Sequence, residues 1–139
     1  MSVAATKDRY LVFSASDPRG VFRLPLKPGE KLPEPILAGG AGVAADPTSN
    51  RWVVMQANQL KVFDGAEEQR SIPSADDATF WRYHVMAFAP DEKLFVVLET
   101  GVGLEVHSVN LVSGEFTLQF RWDREKIMSM TAGPRMNWQ

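Results

Sequence analysis

Catalysis by a small protein usually needs a nucleophile with its base, facing carboxylates, or a metal ligand set. This sequence offers few of these. It has two histidines, His84 and His107, and no cysteine. Without cysteine there is no disulfide framework, no thiolate zinc site and no thiol nucleophile. His107 lies in the apolar run Leu104 to Leu111, where strand alternation puts Glu105, His107 and Val109 on one face. Leu104, Val106 and Ser108 fall on the other, so Ser108 and His107 cannot work as nucleophile and base. No HxH or HExxH spacing occurs, and a metal would need carboxylates to complete its shell. His84 stands alone just before a strand.

The carboxylates come as adjacent pairs: Glu67-Glu68, Asp76-Asp77 and Asp91-Glu92. Neighbouring acids on turns read as solvated charge, and the calcium-loop spacing is absent. Glycoside hydrolysis needs two carboxylates across a cleft, which adjacent turn residues do not supply. Gly39-Gly40-Ala41-Gly42 is followed by neither a Lys-Ser or Lys-Thr pair nor a helical pattern, so it reads as a connector and not as a phosphate loop. We therefore expect no catalytic residue, no metal and no cofactor.

Binding is the better-supported chemistry. Of four tryptophans, Trp52 sits in a buried-type strand and reads as core. Trp81 lies in Ser74 to Tyr83, a long irregular stretch among otherwise tight turns; Trp122 lies in a polar bridge from Arg121 to Lys126, and Trp138 near the end. Aromatic and arginine side chains on loops are the types that carry binding hot spots. The expected partner-binding residues are Asp76, Asp77, Trp81, Arg82 and Tyr83, with the acidic turn Asp91-Glu92 beside them.

These residues must be held by strands. Between Val85 and Phe120 four apolar runs alternate with turn chemistry: Met86 to Phe88, Leu94 to Leu98, Leu104 to Leu111 and Phe116 to Phe120. Earlier, Tyr10 to Ser14 and Val21 to Leu26 flank the turn Asp17-Pro18-Arg19-Gly20. Pro33 and Pro35 then make any following strand short or an edge. Val43 to Ala45, Trp52 to Met55, Leu60 to Phe63 and Gln69 to Ile72 form a second group, and residues 1 to 9 read as a loose lead-in. Ile127 to Met130 is one more strand.

The pattern repeats. Pro47, Pro90 and Pro134 end similar segments and are spaced by 43 and 44 residues. Tyr10, Trp52 and Leu94 open similar apolar strands, spaced by 42 and 42. A period near 40 to 45 residues with four strands per unit is the mark of propeller blades.

The chain thus resembles a β-propeller built from WD- or NHL-type blades, with neither a Trp-Asp nor a Gly-His signature. The resemblance implies an all-β domain over residues 1–139: about three four-stranded antiparallel units, the last one latched by both termini, with the strand at Ile127 supplying what the first unit lacks. A sandwich or barrel is the alternative. Three units are few for a ring, which typically has about four to eight blades. Two copies making a homodimeric ring, or a compact three-sheet assembly, both answer this.

The chain is 139 residues long, 45% hydrophobic and 23% charged, with a formal net charge of -2. That suits one globular domain. No basic tract marks a nucleic-acid partner. The start has no apolar core of a signal peptide, and no run approaches the roughly 18 apolar residues of a membrane span, so we expect a cytoplasmic location and no membrane partner. A small, acidic, cysteine-free protein is similar in character to bacterial immunity or antitoxin proteins, which implies a non-enzymatic, protein-binding role against a basic toxin. The alternatives are a self-associating structural or assembly subunit and a small hydrolase or lyase.

Overall fold

The computed structural model describes residues 2–39, 42–81, 86–90 and 93–123, and among them there is no helix. Three antiparallel sheets of three, four and five strands follow one another in sequence, and none closes into a barrel. The first is β1 (Ser2–Ala5), β2 (Tyr10–Ser16) and β3 (Arg19–Pro25). The second is β4 (Gly42–Ala45), β5 (Arg51–Gln56), β6 (Gln59–Asp64) and β7 (Glu67–Pro73). The third holds β8 (Thr79–Phe80), β9 (Met86–Phe88), β10 (Leu94–Glu99), β11 (Gly103–Val109) and β12 (Phe116–Asp123).

Each sheet runs from an inner strand outward in chain order, and the inner strands β1, β4 and β9 lie against one another in turn. This is a propeller-like array. The Ser2 hydroxyl ties β1 to β4: its Oγ donates to Val43 O (3.2 Å) and accepts from Val43 N (3.1 Å). Ser2–Ala5 is thus the inner strand of the first sheet, paired with Leu11 to Ser14, and not a loose lead-in. Its residues alternate half-buried and exposed, and this short, weakly apolar pattern hid the strand. The strand expected at Ile127 to Met130 lies outside the described residues.

Two apolar layers separate the sheets. Val12, Val21, Val43, Trp52, Val54 and Phe63 fill the first. Met55, Leu60, Ile72, Leu94, Leu98 and Val109 are among those filling the second. The middle sheet is covered on both faces, so β5 reads as a continuous apolar run and not as an alternating one. Trp52 is fully buried, stacks on Phe63 at 4.4 Å and donates its indole N–H to Gly65 O (2.7 Å).

The first sheet has only a rudimentary fourth strand. Ile36 N donates to Val21 O (2.7 Å) and Val21 N to Leu37 O (2.9 Å), a single bridge. Pro33 and Pro35 have no N–H with which to extend it. Gly20 makes this close approach possible. Its φ is +151°, and a Cβ there would sit 2.8 Å from Pro35 Cβ and 2.9 Å from Leu37 O.

Two expectations change in the third sheet. Ser74 to Tyr83 is not wholly irregular, because Thr79–Phe80 pairs with Glu99 and Leu98. Trp122 is not in a loop but in β12, opposite Leu104.

Candidate functional site

Equivalent turns define how the three sheets superpose. Thr6 N donates to Tyr10 O (2.9 Å), Asp46 N to Arg51 O (3.0 Å) and Ala89 N to Lys93 O (2.8 Å). Tyr10, Arg51 and Lys93 are therefore equivalent, spaced by 41 and 42 residues. The expected match of Tyr10 with Trp52 is off by one, since Leu11 is the residue equivalent to Trp52 and Leu94; the β4–β5 turn is also one residue longer than the other two. Asp46 organises that longer turn. Its carboxylate accepts from Thr48 N (2.9 Å), Thr48 Oγ1 (2.7 Å) and Ser49 Oγ (3.0 Å). Burial pushes the Asp46 pKa up, yet these bonds and nearby Arg51 outweigh it and hold the acid below its ordinary value.

A slip of one residue turns every side chain to the other face, so the corrected register decides which residues share a side. We call the side towards the following sheet the front and the opposite side the back. Front positions Val12 and Val53 are equivalent to Phe95, and Ala4 and Ala44 to Ala87. Back positions Val54 and Val96 are equivalent to Phe13, and Val43 and Met86 to Val3. Val12, Ala44 and Val53 are buried by the next sheet, whereas Ala87 is exposed and Phe95 half-buried. Val43, Val54 and Val96 are buried by the preceding sheet, whereas Val3 is 60% exposed and Phe13 half-buried. The front of the third sheet is thus left partly open, whereas on the back of the first sheet Val3 is exposed but Phe22, the cross-strand partner of Phe13, is only 1% exposed.

The third sheet's front face is the more aromatic. Phe95, Val97, Leu104 and Val106 lie on it through strand alternation. A β-bulge adds Phe120 and Trp122. Leu118 faces His107 but Phe120 faces Val106, so Gln119 is the extra residue and the rest of β12 switches sides. Gln119 donates its side-chain amide to Ser108 Oγ (3.0 Å). Phe120, 49% exposed, meets Trp122 edge-to-face at 4.7 Å. Trp81 joins this side. Its amide donates to Val97 O (2.9 Å), extending the β8 ladder by one residue. Leu94 faces Phe88, but Leu98, four residues on, faces Phe80, eight residues back. The inner edge therefore carries four residues more than a continuous ladder takes.

Of the sequence-predicted binding residues, Asp76, Asp77 and Trp81 lie among the described residues. Asp76 and Asp77 are exposed on the turn after β7, Asp77 with φ +57°. Asn58, in the β5–β6 turn with φ +58°, anchors this connector. Its side chain donates to Ser74 Oγ (2.9 Å) and accepts from Phe80 N (2.9 Å). Trp81 is half-buried and belongs to the sheet face. Arg82, Tyr83, Asp91 and Glu92 lie outside the described residues. Sequence reasoning missed Phe95, Phe120 and the Glu105 cluster described below.

No protein-family model and no curated protein matches this chain. Among solved structures it is similar to the crystal structure of a nidogen/laminin complex, with a TM-score of 0.61 and 13% sequence identity. The match covers 87% of this chain and 48% of that one, so the chain spans about half the length of the structure it resembles. The likeness is one of fold.

One titratable cluster lies between the second and third sheets. Glu105 and His107 are both buried; His107 Nε2 donates to Glu105 Oε1 (2.8 Å) and Arg121 Nε to Glu105 Oε2 (2.8 Å). The His107 bond, helped by Arg121, outweighs burial and lowers the Glu105 pKa. Both carboxylate oxygens are engaged, so Glu105 braces the sheet and is poorly placed to take a proton from a ligand. At the turns that open β2, β5 and β10, two solvent-open clefts of about 550 and 450 Å³ meet at Arg51. They carry charges of both signs, including Lys7, Asp64, Lys93 and Glu115.

Proposed function

We propose that this chain acts by binding protein and not by turning over a substrate, and that the open front face of the third sheet is its docking surface. One observation carries the reading: on the front of the third sheet the equivalent of buried Ala44 (Ala87) is exposed, the equivalent of buried Val53 (Phe95) is half-buried, and Phe120 beside them is 49% exposed. Phe95, Phe120 and Trp122 there are the residue types that dominate interface energetics. The nidogen/laminin neighbour is itself a protein–protein complex, which is in keeping with such a role.

The partner class that fits the acidic turn Asp76-Asp77 is a protein with a basic surface, and blocking a basic toxin is one task such a module performs. Affinity capture with wild type, Phe120→Glu and Asp76→Lys/Asp77→Lys tests both levels. A protein retained by wild type and released by Phe120→Glu supports the docking face. Its additional release by the lysine pair supports the basic partner. A partner equally retained by Phe120→Glu overturns the face. One retained in full by the lysine pair overturns the charge argument.

A further inference from the structure

We infer that the exposed loop from Leu26 to Pro35 is a second recognition element, a proline-fixed segment that docks into the aromatic-lined groove of a partner protein. It belongs to the first sheet and not to the third, and it stands or falls separately from the face proposed above.

The fold does not need a loop of this length. In the second sheet β6 and β7 are joined by Gly65 and Ala66, and in the third β11 and β12 by Asn110 to Glu115. In the first sheet ten residues separate β3 from the bridging segment at Ile36 and Leu37. A ladder continued from the Val21–Leu37 bridge would set Pro35 opposite Arg23 and Pro33 opposite Pro25. None of these prolines can donate to it, so pairing stops and the segment stays off the sheet.

The loop is fastened at both ends and bare between them. Leu26 N donates to Arg9 O (2.8 Å) and Ile36 N to Val21 O (2.7 Å), while Pro35 is seated against Gly20. All ten residues from Leu26 to Pro35 are exposed, the longest such run among the described residues. They include two large apolar side chains, Leu26 at 43% and Leu32 at 46%. From Lys31 to Pro35 no hydrogen bond or ion pair is made to the other described residues.

Proline supplies the order that hydrogen bonds do not. Its ring fixes its own φ near about −65° and confines the residue before it to the extended or polyproline region. In Leu32-Pro33-Glu34-Pro35 every residue either is a proline or precedes one. The tetrapeptide therefore favours an extended left-handed form even when unbound. Such a segment has little conformational entropy left to lose on binding, and its proline rings and free carbonyls are what aromatic-lined grooves recognise. Leu32, Pro33 and Pro35 supply the apolar contacts. Lys27 and Lys31 balance Glu30 and Glu34, so the loop, unlike Asp76-Asp77, selects its partner by shape and not by net charge.

Titration of the full chain against a panel of purified SH3 and WW domains tests this. At least one domain is expected to bind, and its affinity should fall about tenfold or more in Leu32→Asp and in Pro33→Ala. Both positions are exposed, so each variant should keep the wild-type melting midpoint. Val112→Asp, on the turn after β11, binds like wild type. Trypsin cleavage after Lys31, in the middle of the loop, should slow in the presence of the bound domain.

Failure of every domain to bind overturns the proposal. So does a bound domain that is indifferent to both substitutions, one that leaves cleavage after Lys31 unchanged, or one released by Phe120→Glu instead. Each of these outcomes leaves the third sheet's face to its own test.

Discussion

Glu105 and His107, two residues apart on β11, point to the same side of the sheet and share a 2.8 Å hydrogen bond in a buried setting. The carboxylate can only accept, so the ring hydrogen sits on Nε2, and Nδ1 has no partner among the described residues. Glu105 has a folded pKa below its unfolded value of about 4.3. Its contribution to stability is therefore complete above that pH and is lost as pH falls through the folded pKa. Glu105→Gln should cost about 1–3 kcal/mol at neutral pH. Urea unfolding of both proteins should show the gap narrowing below about pH 4.3. Parallel curves down to strong acid would exclude this account.

Trp52 anchors the contact between the first two sheets. Trp52→Ala removes a fully buried ring, its stack on Phe63 and a bond to Gly65 O. The expected loss is about 3–5 kcal/mol. Trp52→Phe keeps much of the packing and leaves one carbonyl unpaired, so about 1–3 kcal/mol is expected. Chemical denaturation ranks the two, and equal losses would place the energy in the hydrogen bond and not in the ring.

Asn58 holds the connector that follows β7. Asn58→Ala deletes the bonds to Ser74 and Phe80 N and puts alanine at φ +58°, costing about 1–3 kcal/mol. The local effect is the sharper test. Hydrogen exchange at the Phe80 amide should accelerate more than at the Val54 amide, and a uniform change would mean that Asn58 acts only through global stability.

Gly20 lies where two backbones nearly touch. Gly20→Ala forces a Cβ against Pro35 and Leu37 O in an unfavourable conformation and should destabilise by more than about 1 kcal/mol. Exchange at Ile36 and Val21, whose amides form the bridge, reports whether the segment has lifted. Unaltered protection at both would show that the segment can shift and stay bound.

The strands were legible because their residues are β-branched or aromatic and are punctuated by Pro, Asp and Gly. Leu94–Glu99 is an example, bounded by Pro90 on one side and Gly101 on the other. The faces were harder to read. Gln119 adds one residue to β12 and so reverses which of the side chains after it look outward. Read without the bulge, Phe116, Leu118, Phe120 and Trp122 would all share one face. Phe116 instead packs into the core while Phe120 and Trp122 turn to the open side. β1 was missed because four small residues carry little apolar signal, and its place is set by Ser2 bonding to Val43 across the sheets.

Among the described residues, the middle sheet packs against a neighbouring sheet on both sides, while each flanking sheet packs against one. In a linear array with nearest-neighbour coupling, this sets an order of melting. Amides of β5 and β6 should be the last to exchange, and those of β2 and β10 should open earlier, each end fraying independently of the other.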